Sequence, residues 1–351
     1  MSDRDLNAET NSTDADVSRR DFLRRSSLTA GAAASMVGLG SEGLLAADDA
    51  KKKDEETPKI PTRTLGRTGE KVSILGLGSA LMGHQNNNRP KLGPVVDVFA
   101  EAIDRGVTYV DTGRIYGRAE EALAKVLATR RKKVFLATKV WANTAEEAQK
   151  SFEESLKTMK VDDVDVLHIH HAGGKDIDQV LGKGGAWEYL QKMKKEGKTR
   201  FIGITGHARP ANFVRMLETG TVDVMMVAMN FVDRHIYGFE EKVLPVARKH
   251  KTGVMAMKVY GGVTGGFKNY GKRRPHPSQM DKKLHESSIR YLKSLDGVTG
   301  MVIGCHNRVQ LLENIRRVAE AKPLEKKDFE ALVQSGKQFA PVWTPRFGPV
   351  S

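Results

Sequence analysis

The stretch KVFLATKVWANTAEEAQKSFEESLKTMKVDDVDVLHIH, residues 133–170, holds two short apolar runs on either side of one amphipathic segment. The runs, KVFLATK (133–139) and VDVLHIH (164–170), have the length and β-branched content of buried strands. Between them Thr144 and Glu147 form a capping-box pair, and Ala148, Phe152, Leu156 and Met159 share one apolar helix face. The pattern extends both ways. VSILGLG (72–78) and VTYVD (107–111) lie upstream; RFIGIT (200–205), VDVMMVAM (222–229), GVMAMK (253–258) and TGMVIG (299–304) lie downstream. Helix-like stretches fall near 95–105, 120–130, 187–196, 210–218, 240–250, 281–295 and 309–320. Eight alternations over roughly 250 residues predict an α/β fold, a single-domain closed (β/α)8 TIM barrel, across residues 61–322. Residues 323–351 add a short C-terminal helix and a Pro-rich tail. The competing architecture is an open doubly wound sheet. It calls for a glycine fingerprint after the first strand, but in GLGSALMG (76–83) Leu81 stands where the third glycine belongs.

The composition is that of an ordinary globular chain: 351 residues, 39% hydrophobic and 28% charged. One cysteine, Cys305, excludes an internal disulfide framework. The formal charge is +14, spread over clusters at 51–53, 130–133, 192–200 and 272–274. Dispersed basic residues read as solvated faces, and 6% aromatic content is too sparse for interleaved nucleic-acid readout, so no nucleic-acid partner is expected. A local cluster still suffices for a small anion.

The first 47 residues read separately. SRRDFLRRSS (18–27) followed by LTAGAAASMVGLG (28–40) resembles a twin-arginine export signal. The apolar run is too short for the ~20 residues that span a bilayer, so no membrane insertion is expected. This reading makes residues 1–47 a signal peptide cleaved after Ala46 or Ala47, the twin-arginine translocase a transient partner, and the periplasm the destination. The plainer reading is a basic tail with a chance arginine pair. Residues 48–60 are charged and aperiodic, a linker.

In a barrel of this kind the site lies at the C-terminal strand ends. Asp111 ends the second run, with Tyr116 just beyond; Lys139 ends the third; His168, His170 and His171 end the fourth; His207 follows the fifth, His306 the eighth and His84 the first. Neighbouring parallel strands lie ~5 Å apart, so Asp111 and Lys139 can form an ion pair. On its own that is a salt bridge closing the barrel mouth. Tyr116 and His170 add chemistry. A lysine ammonium beside a phenol favours the phenolate, which makes Tyr116 a usable proton donor near neutral pH. A neutral His170 imidazole can orient a carbonyl. Donor, orienter and charge pair together suit carbonyl reduction.

The motifs RTLGRTGEKVSILGLG, GVTYVDTGRIYGRAEEALAKVL, FLATKVW, SFEESLKTMKVDDVDVLHIHH, GKTRFIGIT and NRVQLLENI together resemble the aldo-keto reductase family over about residues 61–320. The resemblance implies a (β/α)8 barrel, a nicotinamide nucleotide at its mouth, and NADPH-linked reduction of aldehydes or ketones. It gives Tyr116 as proton donor, Lys139 as its activating partner, Asp111 as the partner of Lys139, and His170 as carbonyl orienter.

Departures from the family fall on the cofactor side. Where it carries a Ser-Asn pair and a Gln around the nicotinamide carboxamide, this chain has Thr205, Gly206 and Met226; where an aromatic ring stacks on the nicotinamide, it has Met257, followed by Lys258. Gly78 and Ser79 at the first strand end, with Thr205, Met257 and Lys258, are candidate cofactor contacts. On the adenine side the candidates are Arg308, Gln310, Glu313 and Asn314, with His306 nearby. NADP is the expected cofactor, NAD the alternative. Arg114, between Asp111 and Tyr116, is unexpected and is read as pointing to solvent. Trp141, His171, Trp343 and the basic, glycine-rich loop 260–275 are candidate pocket walls for a small carbonyl substrate. Two other functions compete: a metal-dependent barrel enzyme using His168, His170, His84, His207, His306 and Asp111, and a non-catalytic nucleotide sensor. His168 is read as packed core, and no metal is expected.

Overall fold

A computed structural model of the chain describes residues 56–80, 92–262 and 280–351. The leader at 1–47, His84, Leu81 and the loop from 263 onward lie outside the described residues.

Among the described residues there are ten strands: β1 (Thr62–Thr64), β2 (Lys71–Ser73), β3 (Leu75–Gly78), β4 (Tyr109–Asp111), β5 (Phe135–Val140), β6 (Val164–Ile169), β7 (Thr199–Gly206), β8 (Val224–Ala228), β9 (Gly253–Met257) and β10 (Gly300–Gly304). Strands β3 to β10 close into a parallel barrel in the order β10-β3-β4-β5-β6-β7-β8-β9. Closure excludes the open doubly wound alternative. The helices between and after them are α1 (Leu92–Asp104), α2 (Ala119–Arg130), α3 (Ala145–Met159), α4 (Ile177–Leu181), α5 (Ala186–Lys195), α6 (Pro210–Glu218), α7 (Phe239–Lys242), α8 (Leu244–Lys249), α9 (His285–Lys293), α10 (Arg308–Glu320) and α11 (Lys326–Trp343). The capping box at Thr144 and Glu147 starts α3 as the sequence indicates.

The period of two along each strand divides the core. Val110, Leu136, Leu167 and Ile169 face outward into the layer shared with the helices. Tyr109, Phe135, Ala137, Val166, Val224, Met226, Met255, Met257 and Val302 fill the barrel. Tyr109 stacks on Phe135 at 5.5 Å, and Phe135 on Phe201 at 6.0 Å. Continuing that alternation puts Asp111, Lys139 and His170 on the interior face at the upper end.

The run 72–78 divides in two. Its start belongs to β2, which pairs antiparallel with β1, and only β3 enters the barrel. The β1–β2 hairpin closes the lower end by inserting Leu65, which is fully buried in the barrel core. The fit needs glycine on both sides. Gly66 has φ +50 and comes so near Gly253 that an added Cβ would lie 2.3 Å from its nitrogen; a Cβ on Gly253 would lie 2.7 Å from the Leu65 side chain.

At the other end of the chain, α11 and the tail are packed down. A Cβ on Gly336 would lie 2.0 Å from the Phe231 carbonyl oxygen. Arg346 donates to both carboxylate oxygens of Asp233, at 2.6 and 2.8 Å, and both residues are buried. Its guanidinium lies between the rings of Trp343 and Phe347, 4.6 and 4.2 Å from their centroids. Trp343 is therefore buried in the core around this pair. Among the described residues no helix is long and apolar enough to cross a membrane.

Truncating the floor residue tests its weight. Leu65→Ala removes a fully buried side chain from a site walled by backbone, where collapse is restricted. It should lower unfolding free energy by about 2–5 kcal/mol, seen as a reduced urea midpoint with unchanged slope.

Candidate active site

Asp111 closes β4, and Lys139 stands on β5 two residues beyond Ala137, its register partner. Both are buried. Lys139 Nζ donates to Asp111 Oδ1 at 2.6 Å and to the Thr112 carbonyl oxygen at 2.6 Å. Burial pushes the Asp111 carboxyl above its usual range and the Lys139 ammonium below its own; attraction between the two opposes each shift.

Tyr116 sits in the turn that follows β4. Its amide donates to the Gly113 carbonyl oxygen at 2.9 Å, and its carbonyl accepts from Ala119 at the start of α2. The turn aims the ring back over the barrel, where Lys139 Nζ lies 4.7 Å from its centroid. His170, just past β6, is fixed by its amide donating to the Val140 carbonyl oxygen at 2.9 Å. Its Nε2 lies 3.4 Å from the Tyr116 hydroxyl, with the rings edge-on at 89°. Burial first, then the Lys139 charge, holds the His170 pKa well below the ordinary imidazole value, so the ring is neutral near pH 7. His168, one inward layer lower, fills space left by Gly203, whose added Cβ would lie 2.4 Å from His168 Nδ1. It too is kept neutral by burial.

Arg114 does not face Tyr116, nor is it simply solvated. It pairs with buried Glu120 of α2 and donates to Thr158 Oγ1 at 2.9 Å. Glu120 also accepts from Thr138 Oγ1 at 3.2 Å, so this network braces the outside of β5 beside Lys139. Burial raises the Glu120 pKa, and Arg114 opposes that shift.

The rim on the β6–β7 side is aromatic and basic. Trp141, 48% exposed, stacks on His171 at 5.5 Å and meets His170 edge-on at 5.3 Å. His171 neighbours His207 at 5.8 Å, and His207 neighbours Phe347 of the tail at 4.9 Å. Lys175 Nζ lies over Trp141 at 4.4 Å, and Lys258 Nζ over Phe347 at 5.9 Å. Of the expected pocket walls, Trp141 and His171 stand here; Phe347, not Trp343, is the tail residue that reaches them.

The candidate cofactor contacts fall into two groups. Gly78 ends β3 and pairs in register with Asp111 and Gly304, and Ser79 donates its amide to the Asp111 carbonyl oxygen at 3.0 Å. Thr205 lies on β7 beside Met226 of β8, and Met257 ends β9 with Lys258 just beyond. Among the described residues, the buried hydroxyls of Ser79, Thr112 and Thr205 and Nδ1 of His170 have no hydrogen-bond partner. Buried polar atoms are rarely left unmet, so a polar ligand at the mouth fits these residues. The second group opens α10. Arg308 pairs with Glu101 at 2.9 Å, Gln310 accepts from the His306 amide at 2.8 Å, Glu313 pairs with Arg317 at 3.2 Å, and Asn314 accepts from the Tyr260 hydroxyl at 3.1 Å. Asn307 caps this helix, whose N-terminus favours an anion. Among the described residues no three His, Cys, Asp or Glu side chains converge as metal ligands.

Glu120, Lys175 and Phe347 were not singled out by strand-end reading. Glu120 and Lys175 lie in a helix and a loop turn, and Phe347 arrives from the far end of the chain. The only sequence signal for Glu120 was its six-residue distance from the unexplained Arg114.

A family model described as the aldo/keto reductase family matches residues 74–337. L-galactose dehydrogenase of Arabidopsis thaliana is 29% identical over 305 residues, covering 76% of this chain and 90% of its own. An uncharacterized oxidoreductase of Bacillus subtilis is 25% identical over 79% of this chain and 96% of its own. Among solved structures, a Pseudomonas aeruginosa protein described as an aldo-keto reductase superposes with a TM-score of 0.61 at 25% identity, over 76% and 98% of the two chains. A Bombyx mori aldo-keto reductase in complex with NADP has the same fold, TM-score 0.61 at 19% identity, over 80% and 93%.

The position of Arg114 makes it a brace. Arg114→Met should leave Glu120 buried without its cation and cost about 1–3 kcal/mol of stability, read by thermal and urea unfolding. The alkaline limb of any pH–rate profile should stay in place; a shifted limb would mean that the Arg114–Glu120 pair acts on the charge at Lys139 and is more than a brace.

Proposed function

The chain belongs to the aldo/keto reductase family, and we propose that it reduces an aldehyde or ketone at the barrel mouth, with Tyr116 as the proton donor. The observation carrying this reading is the 3.4 Å approach of the Tyr116 hydroxyl to His170 Nε2, directly above the Lys139–Asp111 pair. One carbonyl oxygen can contact both groups.

The residues have separable tasks. His170, neutral and in its Nε2–H form, donates a hydrogen bond that fixes the carbonyl oxygen. Tyr116 transfers its phenolic proton to that oxygen as negative charge develops there. Lys139 stabilises the phenolate left behind, and Asp111 keeps the ammonium charged and in place despite its burial. Trp141, His171 and Phe347 wall the substrate from bulk water. When bound, a reduced nicotinamide nucleotide would supply the hydride for the carbonyl carbon; NADP is the nucleotide expected, with NAD the alternative. Ser79, Thr205 and Met257 would hold its nicotinamide side, and Arg308, Gln310, Glu313 and Asn314 its adenine side. The free hydroxyls of Ser79 and Thr205 support that placement.

Tyr116→Phe should reduce turnover by about 100- to 10,000-fold while nucleotide affinity, followed by fluorescence titration, is retained. An unaltered rate would remove Tyr116 from the donor role. The pH profile has a determined sign. Turnover should fall in acid as Asp111 takes a proton, at a pH above the ordinary 3.8, and in alkali as Lys139 loses one, below the ordinary 10.5. His170 should add no inflection near 6.5, because it is neutral there already.

We further propose that residues 1–47 direct export by the twin-arginine route to the periplasm, after folding and with nucleotide already bound. The SRRDFLRR pattern supports this. Fused to a reporter in a bacterium with that translocase, the leader should carry it across the inner membrane, and the double change Arg19→Lys, Arg20→Lys should keep it inside. Equal export of both would refute the reading.

A further inference from the structure

The rim residue Lys175 has no part in the proton-transfer constellation, yet its placement is tightly specified. Its amide donates to the Ala172 carbonyl oxygen at 3.1 Å, and its carbonyl accepts from Asn212 at 3.3 Å. The residue is 9% exposed, and its ammonium lies 4.4 Å from the Trp141 ring centroid. Among the described residues no carboxylate pairs with it and no acceptor takes its protons. Most of the side chain is packed away, and one aromatic face meets the charge only in part. The surroundings add positive charge. Arg209 donates to the Gly173 carbonyl oxygen at 3.3 Å, two residues from Lys175, and also has no carboxylate partner among the described residues. Burial first, and then the charges of Lys175 and Arg209, hold the His171 pKa below the ordinary imidazole value. The counter-charge acting on Lys175 is Glu147, whose Oε2 accepts from the Asn143 and Thr144 amides at the start of α3.

We infer that the rim around Lys175 is a subsite for an anionic group of the substrate, a carboxylate or a phosphate at the end remote from the reacting carbonyl. The inference rests on the reductase reading and deepens it by naming the substrate class. The geometry sets the layout. Trp141 bridges the two functions, with Lys175 over its face and His170 at its edge, 5.3 Å between ring centroids. A small keto- or aldehydo-acid, or a phosphorylated aldehyde, can lie along Trp141 with its carbonyl at Tyr116 and His170 and its anion at Lys175. The subsite is separate from the phosphate-binding end of a nucleotide at α10. Lys175 follows β6, which stands four strands from β10 in either direction round the barrel. An anion there would supply the hydrogen-bond acceptor and charge that Lys175 lacks, by a charge-assisted bond of the strong kind.

The test compares matched substrates: succinic semialdehyde with butanal for the carboxylate, and glyceraldehyde 3-phosphate with glyceraldehyde for the phosphate. The wild-type protein should prefer the anionic member of at least one pair in kcat/KM, and the pair that shows it identifies the anion. Lys175→Gln should raise KM for that anion about ten- to hundredfold, with the preference ratio collapsing toward one. Lys175→Arg should restore most of it, which a purely structural lysine would not require. Wild-type ratios near one in both pairs, or ratios unchanged in Lys175→Gln, would overturn the subsite. If the wild-type protein reduces none of the four aldehydes, the reductase reading itself fails, and binding decides the subsite. Saturable quenching of Trp141 fluorescence by succinate or inorganic phosphate, lost in Lys175→Gln, would sustain it; quenching indifferent to Lys175 would end it.

Discussion

Everything at the barrel mouth depends on one ion pair, Lys139 with Asp111. Two charges inside a closed barrel survive only if they meet each other and their remaining hydrogen-bonding groups are used. The 2.6 Å contacts from Lys139 Nζ to Asp111 and to the Thr112 carbonyl oxygen meet that condition. They also constrain the fold. Strands β4 and β5 must be neighbours, in the register that sets Asp111 beside Ala137, so that the next inward residue on β5 reaches across. The turn bearing Tyr116 begins where Asp111 ends, so the same register places the phenol above the ammonium. His170 then stays neutral in part because Lys139 is charged. The positions of Tyr116 and Lys139 and the neutrality of His170 are thus tied to one pairing.

The barrel was legible because its information is periodic and local. Eight apolar runs separated by helical spacing required no knowledge of which strands touch, and the short connections together with parallel pairing left closure as the economical arrangement. The strand ends then identified Asp111, Lys139 and His170 by position alone, since period-two alternation sends each inward. Tyr116 followed from its five-residue distance to Asp111. The structure brings these four together; the catalytic roles given to them stand as a proposal.

What the sequence concealed is non-local. Nothing in the run 72–78 distinguishes the hairpin residues from the barrel strand, because both are apolar and buried. The division is visible only once Leu65 meets Gly253, nearly two hundred positions away. The tail looked like a Pro-rich appendage, yet Arg346 meets Asp233 across a span of 113 residues and brings Phe347 to the rim. Arg114 misled for a related reason. Its neighbours in sequence are site residues, whereas its partner Glu120 is the second residue of α2, on the outer side of β5. Proximity along the chain predicted an exposed side chain, and a buried carboxylate recruited it instead.

Backbone freedom is used at both ends of the barrel. At the floor, glycines at 66 and 253 permit close approach, and the result is a sealed apolar plug. At the mouth, positive φ is adopted by residues with full side chains: His171 at 58°, Arg209 at 45° and Lys258 at 58°. Such conformations cost of order 1–3 kcal/mol each, and glycine would adopt them without strain. Glycine, however, would leave the rim without its imidazole, guanidinium and ammonium. The strain follows β6, β7 and β9, the strands whose ends bound the open side of the site, and it is carried by a barrel whose interior and outer layers are both filled. A fold that gathers charged and polar residues at its mouth while sealing its floor separates stability from chemistry along its own axis. The same conformation occurs at exposed Lys160 and Lys251 away from the mouth, so what sets the rim apart is the charge gathered there and not its backbone.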